Sequence, residues 1–332
     1  MKLLSIVIPA YNVEKYLDEA MAPYLKLKNP ERIEVLIVND GSKDGTLSLA
    51  KKYENEYPDF IKVIDKENGG HGSTINAGIR EATGKYFKVV DGDDWVDTKA
   101  LEHLLEIMEQ SNSDMIATGF VIVCQDVDQK EVIHIENVDY GKEYHFKDIC
   151  AQIDYIRMHS TIFRTEILQK NHVELDEHCF YVDVEHDLYP LRWIDTITFY
   201  DELLYRYRIG RPGQSVSMKG MVKNRENHER VLRHVLKMVD EYAFPETVKE
   251  YIMKKLEVMV SLQYSTLFYL GVNSAAKKEL MAFDHWLKNA NQRLYRSVPQ
   301  KKIWLLRMSG FRGYYMVQFI YQLIGKKEEY VK

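Results

Sequence analysis

The sequence predicts an α/β fold with a mostly parallel central sheet, followed by a helical C-terminal region. Over the first hundred of its 332 residues, four short apolar segments of strand composition alternate with segments of helical periodicity. Polar or glycine-rich turns follow each of those strands, as they do in sheets that bind ligands at their carboxyl edge. Beyond Met221 the apolar residues recur almost entirely at helical spacing.

The four strands are predicted from runs rich in β-branched and aromatic residues. They are Leu3–Pro9, Ile33–Asp40, Phe60–Asp65 and Lys85–Asp91. Helices are predicted between them over residues 13–25, 41–57 and 68–82, with Ser42 or Asp44 capping the second and Ser73 capping the third. Because the carboxyl ends of parallel strands lie at one edge of a sheet, we expect the residues that follow these strands to share a site.

The pattern changes between Ser113 and Gly210. "DMIATGFVIVC" and "EVIHIENV" read as two strands of a meander, and "STIFRTEILQKN" as a strand entering a short helix. "VDVEHDLYPLRWI" has helical spacing as far as Pro190, and residues 202–210 form a further strand. Helices are then predicted over 222–242, 245–270, 275–287 and 301–324. These observations predict a domain over 1–220, with halves 1–112 and 113–220, and a helical region over 221–332.

Composition indicates a globular protein of the reducing cytoplasm, with no nucleic-acid partner. The net charge of −5 is uneven, because residues 221–332 carry 20 basic and 11 acidic side chains while the rest carry 25 and 39. The three cysteines form no CxxC pair, which disfavours a disulfide framework or a zinc ribbon. We expect no secretory signal at the N-terminus and no membrane-spanning segment, since no apolar run reaches about 18 residues.

An acidic cluster, Asp91-Gly92-Asp93-Asp94, follows the fourth predicted strand. Carboxylates two residues apart supply oxygen ligands for Mg²⁺ or Mn²⁺ and leave coordination positions for phosphate oxygens. Gly92 between them lets the backbone turn and a ligand approach closely. A solvated acidic turn that caps the next helix is the alternative. The strand before the cluster and the polar loops at the same edge favour the metal site.

The other strand ends offer candidate nucleotide contacts. Asp40 could accept a hydrogen bond from a base or a ribose hydroxyl, or could instead stabilise its own turn. Tyr11 and Asn12 could flank a planar base, although Tyr11 could equally pack in the core. "NGGHGS" leads into a helix and resembles a generic phosphate loop, yet it matches neither the Walker A pattern nor GxGxxG.

Taken in order, "SIVIPAYNVEKYL", "EVLIVNDGSKDGT", "NGGHGSTINAGIREATGKYFKVVDGDDWVD" and "FYVDVEHDLYPLRW" resemble the successive blocks of the family 2 inverting glycosyltransferases. The resemblance covers residues 1–220 and implies the GT-A fold, a Rossmann-like domain that binds a nucleotide-sugar donor, usually of UDP. It implies that Asp40 contacts the uracil, Asp91 the ribose side and Asp93 the divalent metal, with Asp91 beside it. The donor-binding residues implied are Pro9, Ala10, Tyr11, Asn12, Asp40, Lys66, Gly69, Gly70, Asn76, Asp91, Gly92, Arg211 and Ser215.

The family's catalytic base is expected at Asp183, where the usual Glu-Asp pair reads Val-Asp. Glu185 and Asp187 are nearby competitors, and a helix N-cap is the structural alternative for Asp183. A second departure lies in the glycine block, which reads Thr-Ile-Asn where many relatives have Ala-Arg-Asn. His71 or Lys66 could supply the cation that this change removes.

The last predicted helix, over 301–324, is basic, aromatic and amphipathic. Core packing, a homodimer contact and a peripheral membrane contact on the cytoplasmic face are all compatible with that pattern. The resulting interpretation is an inverting, metal-dependent transferase that acts on a glycan or a lipid-linked glycan in cell-surface polysaccharide synthesis. A non-catalytic sugar-nucleotide-binding subunit is an alternative. A nucleotidyltransferase is a weaker one, because no basic glycine-rich signature accompanies the first strand.

Overall fold

A computed structural model describes residues 2–124, 129–210 and 217–324. The chain divides into two compact units, which are Met1–Arg211 with Phe244–Val248, and Pro212–Ala243 with Lys249–Lys332. The predicted domain boundary near Gly220 and the division after residue 112 remain predictions, because compactness by itself does not show that a unit folds independently.

The first unit contains a single large sheet within the described residues. Its strands are β1 (Leu4–Ala10), β2 (Ile33–Asp40), β3 (Ile61–Lys66), β4 (Tyr86–Val89), β5 (Trp95–Val96), β6 (Met115–Cys124), β7 (Gln129–Ile133), β8 (Glu143–His145), β9 (Thr161–Arg164) and β10 (Thr196–Ile209). The main path runs β3-β2-β1-β4-β9-β6-β10-β5, with β7 paired to β6 and β8 to β10. The first four strands are parallel, and β9 is antiparallel to both of its neighbours. The mostly parallel sheet and the β6–β7 meander are therefore confirmed.

Burial explains why the first strands read as continuous apolar runs. Every residue of β1 is buried, and all but one residue of β2 are buried. Helices cover the two faces of a parallel sheet, so alternation of polar and apolar residues is lost. The parallel register places Ala10 beside Asn39 and Asp40 beside Lys66. The polar residues that end three strands therefore meet at one edge.

The helices of this unit include the five predicted from the sequence, with differences at their ends, and two that were not predicted, over 98–107 and 146–149. They are α1 (Glu14–Leu25), α2 (Thr46–Glu56), α3 (His71–Glu81), α4 (Thr98–Ile107), α5 (Phe146–Ile149), α6 (Thr165–Lys170) and α7 (Asp183–Leu188). The Asp44 side chain accepts a hydrogen bond from Thr46 N (3.1 Å) at the start of α2. The Ser42 hydroxyl instead accepts a hydrogen bond from Asn12 N. The predicted cap at Ser73 is wrong, because α3 begins at His71 after Gly70. Gly70 (φ 83°) turns the chain earlier than a serine cap would.

The second unit is helical wherever it is described. Its helices are α8 (Met218–Lys223), α9 (Arg225–Glu241), α10 (Glu246–Tyr269), α11 (Ser274–Ala290), α12 (Gln292–Ser297), α13 (Lys301–Met308) and α14 (Tyr314–Ile324). The single helix predicted over 301–324 is thus two helices. Gly310 (φ 58°) and Phe311 (φ 61°) take left-handed backbone between them, which ends the first helix.

A buried ionic cluster joins four helices of the second unit. Asp284 Oδ1 accepts hydrogen bonds from Tyr264 Oη (2.7 Å) and Arg307 Nε (2.7 Å), and Arg307 also donates to the Tyr295 carbonyl (2.7 Å). Asp284 and Arg307 are both largely shielded from water. Each charge therefore depends on the other for compensation.

Among the described helices, none has both the length and the apolar character needed to cross a bilayer.

We predict that Asp284→Ala lowers the free energy of unfolding by about 3–5 kcal/mol, because it leaves the Arg307 guanidinium without its buried counter-ion. Urea denaturation followed by circular dichroism measures this loss. The control is Glu226→Ala, which removes an exposed carboxylate 3.6 Å from Arg225 and should cost under about 0.5 kcal/mol. Equal losses in the two variants would show that the Asp284 cluster is not stabilising.

Candidate functional site

The loops after β1 and β2 are joined to each other at the carboxyl edge of the sheet. Asn12 (φ 54°) donates its N–H to Ser42 Oγ (3.1 Å), and its side-chain Oδ1 accepts from Lys43 N (2.8 Å). Ser42 Oγ also lies 3.4 Å from the Ala10 carbonyl. Tyr11 is held between these anchored residues and is 51% exposed, so its ring lies on the surface and not in the core.

Asp40 organises the glycine-rich loop. Its side chain is almost fully buried, and Oδ1 accepts from Lys66 Nζ (2.8 Å) and Gly69 N (2.8 Å). Oδ2 accepts from Gly70 N (2.8 Å) and Asn68 Nδ2 (3.0 Å). The Gly69 and Gly70 N–H groups therefore point to Asp40, and the interpretation of them as phosphate-binding groups does not hold in this conformation. Both carboxylate oxygens of Asp40 are likewise engaged by protein donors.

The next residue of the same loop connects it to the acidic cluster. His71 Nε2 lies 2.8 Å from Asp91 Oδ1, so Asp40 and Asp91 contact consecutive parts of one loop, Gly69 to His71. Gly92 donates its N–H to the Pro9 carbonyl (3.1 Å), and a Cβ at position 92 would come within 2.7 Å of that oxygen. Gly92 was predicted to let a ligand approach closely. The structure gives a different reason for the glycine, which is that a side chain here would clash with the Pro9 carbonyl of β1.

Asp94 and Arg208 fix the acidic loop from beneath. Buried Asp94 accepts hydrogen bonds from Tyr205 Oη (2.7 Å) and Arg208 N (2.7 Å). The Arg208 guanidinium donates to the Asp93 carbonyl (2.7 Å) and to Glu19 Oε2 (2.7 Å), and it lies over the Trp95 ring. Burial, with the neighbouring charges of Asp93 and Asp91, raises the pKa of Asp94 well above its ordinary value. Asp94 is therefore a structural acid, which leaves Asp91 and Asp93 as the candidate ligands.

Sequence reasoning gave no role to Arg208 or Tyr205. Both lie in β10, where "YRYRI" shows the alternation of an ordinary half-buried strand. The available signal was the presence of arginines within a predicted strand. Only the pairing of β10 with β5, at Tyr205↔Val96 and Arg206↔Trp95, places the strand beside that loop.

The segment before α7 is attached to the glycine loop by Asn76 and Gly72. The Asn76 amide donates to the Leu175 carbonyl (2.9 Å) and accepts from Leu175 N (2.9 Å). A Cβ on Gly72 would lie 2.2 Å from the Asp176 carbonyl. His178 N also donates to the Gly69 carbonyl (2.5 Å). These contacts give Asn76 a positioning role, because they hold the chain that leads to Asp183 against the glycine loop.

Asp183, Glu185 and Asp187 have different surroundings in α7. Glu185 is fully buried and accepts hydrogen bonds from Asp176 N (2.8 Å) and Tyr189 Oη (3.0 Å). Buried Asp187 accepts from Tyr155 Oη (2.9 Å) and lies 3.1 Å from His186 Nδ1. Asp183 is half-buried and is the first residue of the helix, whose N-cap is Val182. Of the three carboxylates, Asp183 is the one with access to a ligand.

Electrostatic coupling shows that Asp183 lies near the acidic cluster. Burial alone lowers the pKa of His71, but the charge and hydrogen bond of Asp91, with the charges of Asp183 and Asp93, raise the pKa above its ordinary value. Burial first, and then Asp94, Asp91, Asp183 and Asp93, raise the pKa of Tyr207. The surrounding carboxylates, from the loop after β4 and from α7, therefore favour the protonated form of His71.

Asp91 and Asp93 suit a hard divalent cation. Both side chains are half-buried, whereas Asp94 is buried. Their carboxylate oxygens are therefore accessible at the carboxyl edge of the sheet. Mg²⁺ and Mn²⁺ prefer such oxygen donors and retain positions for phosphate and water. Arg211 and Ser215, also expected to contact the donor, lie outside the described residues.

This sheet, with a candidate nucleotide and cation site at its carboxyl edge, defines a protein of the GT-A class. The sequence profile of glycosyl transferase family 2 matches residues 5–171. The chain belongs to that family.

Relatives and solved structures agree with this assignment. The chain is 31% identical over 216 residues to EpsJ of Bacillus subtilis, described as an uncharacterized glycosyltransferase, with 62% of this chain and 61% of EpsJ covered. It is 25% identical over 221 residues to TarS of Staphylococcus aureus, a poly(ribitol-phosphate) β-N-acetylglucosaminyltransferase, with 65% and 37% covered. These matches span less than two thirds of either relative.

Similarity of structure extends over the whole chain. The crystal structure of TarS residues 1–349 with UDP-GlcNAc superposes with a TM-score of 0.68 at 20% identity, covering 100% of this chain and 99% of that one. A mannosyltransferase from Pyrobaculum calidifontis, solved with GDP-Man and Mn²⁺, gives a TM-score of 0.55 at 13% identity, with 98% and 88% covered. At these identities the likeness establishes the GT-A fold with its helical C-terminal region.

We predict that ionisation of Glu185 lowers the unfolding free energy as pH rises between about 4.5 and 7. Burial raises the pKa of Glu185 to about 7 from an ordinary 4.5, so the folded state binds the extra proton in this window. Stability is then lost as that proton leaves, by up to about 3 kcal/mol. Chemical denaturation across this range should show a smaller slope for Glu185→Gln, which cannot ionise. Parallel pH profiles for the two proteins would exclude Glu185 as the source.

Proposed function

We propose that this protein is a metal-dependent, inverting glycosyltransferase that moves a sugar from a nucleotide donor to a hydroxyl of a glycan or a lipid-linked glycan. The observation that carries the proposal is the contact of His71 Nε2 with Asp91 Oδ1 (2.8 Å), together with the charges of Asp93 and Asp183 that act on the same imidazole. Two of these carboxylates suit a cation that holds a diphosphate, and the third comes from a separate helix on which it is the accessible acid.

The nucleotide would occupy the edge formed by the loops after β1, β2 and β3. Tyr11 presents an exposed ring for stacking against a base, and Asn12 fixes the loop that carries it. Asp40 shapes the floor of this site through the glycine loop. A direct contact between Asp40 and a uracil N–H would require Lys66 or Asn68 to release one carboxylate oxygen. The proposed donor is a UDP-sugar, in keeping with the UDP-GlcNAc bound by TarS.

The reaction would be a single displacement at the anomeric carbon. The acceptor oxygen forms a bond to that carbon while the bond to the diphosphate oxygen breaks, and the electron pair leaves with the nucleoside diphosphate. Asp183 accepts the proton of the acceptor hydroxyl as a general base. A divalent cation at Asp91 and Asp93 would supply charge neutralisation for the leaving diphosphate. His71, with its raised pKa, limits repulsion between the carboxylates and the donor.

Family membership bears on the two alternatives. It gives no support to a nucleotidyltransferase. A non-catalytic binding subunit would bind the nucleotide sugar as the proposed enzyme does, but it would not transfer the sugar. For the acceptor, a cell-surface polysaccharide is in keeping with the similarity to TarS, a poly(ribitol-phosphate) β-N-acetylglucosaminyltransferase. A position on the cytoplasmic side of the membrane stays a prediction.

We predict that Asp183→Asn lowers kcat for transfer by at least about 100-fold, because a positioned general base contributes roughly 10²–10⁴-fold. The KM for the donor should change little, since Asp183 acts on the acceptor. The measurement is release of UDP from a panel of UDP-sugars with Mn²⁺, with NMR of the product to read its anomeric configuration.

The matched control is Glu174→Gln, which removes an exposed carboxylate from the segment before α7. It should retain wild-type turnover. Wild-type turnover in Asp183→Asn would remove Asp183 from the mechanism. UDP binding without turnover in any protein tested would favour the non-catalytic subunit.

We predict that UDP and Mn²⁺ stabilise the protein jointly, and that Asp93→Ala removes this coupling. A ligand at 100 times its Kd adds about 2.7 kcal/mol, which raises Tm by several degrees in a chain of this size. Thermal unfolding is measured with UDP, with Mn²⁺ and with both. Glu19→Ala, which truncates an outer partner of Arg208, is the control and should retain the coupling. Persistence of the joint shift in Asp93→Ala would place the cation elsewhere.

A further inference from the structure

Helix α14 has an inverted distribution of polar and apolar residues. It buries Tyr314 and Gln318, and the Gln318 amide donates to the Phe268 carbonyl (3.1 Å) and to Tyr314 Oη (3.2 Å). Met316 is 65% exposed and Phe319 is 60% exposed. A helix whose outer side faces water normally buries its apolar residues and exposes its polar ones. The outward face of α14 is therefore suited to an apolar environment.

Seven of the exposed large apolar side chains of the second unit lie on two consecutive helices. On α14 they are Tyr315, Met316, Phe319 and Ile320, and on α13 they are Trp304, Leu305 and Met308. Within each helix the positions are one, three, four or five residues apart, which places them on one side of that helix. Grouped exposure of this kind marks an interaction surface, whereas single exposed apolar residues are common. We call these seven residues the apolar face.

The charged residues in the segment that carries the apolar face are all basic. From Gln300 to Ile324 the sequence contains Lys301, Lys302, Arg307 and Arg312 and no acidic residue. Lys301 and Arg312 are exposed, and Lys277 Nζ of α11 lies 5.5 Å from the centroid of the Tyr315 ring. Arg307 is engaged by Asp284 in the buried cluster, and Lys302 lies over the ring of buried Phe268, so the basic rim consists of Lys301, Arg312 and Lys277.

We propose that the apolar face docks on an anionic lipid surface, with Trp304, Tyr315 and Phe319 at the depth of the headgroups and the basic rim on the phosphates. An amphipathic helix with aromatic and basic residues lies in the plane of such an interface. This inference stands on the second unit alone and does not depend on the proposed transferase activity.

A second copy of the chain fits the same face less well. In a symmetric dimer the face would meet itself, so its basic rim would lie against another basic rim without an acidic residue of the segment to pair with. A lipid surface satisfies both the apolar residues and the excess positive charge.

The test is flotation of the full-length protein with vesicles of phosphatidylcholine alone and of phosphatidylcholine mixed with phosphatidylglycerol. We expect binding to the anionic vesicles that weakens as salt is raised. Met316→Ser/Phe319→Ser should reduce the binding constant by at least about tenfold, since both side chains lose apolar area that the lipid would cover. Lys301→Gln/Arg312→Gln should reduce the preference for anionic over neutral vesicles.

The matched control is Val258→Ser, which removes a side chain of similar exposure (62%) from α10, ten residues before Phe268. It should float as the wild type does, and circular dichroism should show that all variants are folded. Absence of flotation, or equal flotation of the wild type and Met316→Ser/Phe319→Ser, would overturn the proposal. It would also be overturned if that variant abolished a concentration-dependent dimer while no form bound vesicles.

Discussion

Mutual repulsion between carboxylates is the constraint on which the first unit depends. Asp91, Asp93, Asp94 and Asp183 all act on Tyr207, and three of them act on His71. The structure offsets this repulsion in two ways. Burial raises the pKa of Asp94 and so disfavours its charged form. The His71 imidazole lies against Asp91, and the Arg208 guanidinium lies against the Asp93 backbone. Asp91 and Asp93 remain as the half-buried acids that we propose as ligands of a divalent cation.

Asp40 holds the glycine-rich loop in place, because Gly69 and Gly70 have no side chains that could anchor it. Glycine loses more conformational entropy than other residues when it is ordered. Several donors converge on the buried Asp40 carboxylate, and two of them are the N–H groups of Gly69 and Gly70. Hydrogen bonds to a charged group are stronger than neutral ones, so one side chain fixes the turn. The loop then presents His71 to Asp91 and supports the segment that leads to Asp183.

Both units bury polar groups among apolar side chains. In the first unit these include Asp40, Asp94 and Glu185, whose carboxylates accept hydrogen bonds from protein donors. In the second, an ionic cluster of Asp284 and Arg307 and the amide of Gln318 are buried, while large apolar side chains of α13 and α14 are exposed. Burial of hydrogen-bonded polar groups costs less than burial of unpaired ones, so this arrangement is compatible with a folded helical unit. It nonetheless leaves apolar area for a partner surface.

The sequence by itself determined the strand and helix order of the first hundred residues, because buried parallel strands and amphipathic helices leave strong periodic signals. It also located the edge at which Asp40, Asp91 and Asp93 collect, since strand ends of a parallel sheet coincide. Only the tertiary structure decided which of the acidic side chains are buried and which are accessible to a ligand. Asp94 and Glu185 resemble their neighbours in the sequence, and only the contacts of Tyr205, Arg208, Tyr189 and Asp176 remove them from the solvent. Tyr205 and Arg208 lie 111 and 114 positions from Asp94 along the chain, a separation that local periodicity cannot read.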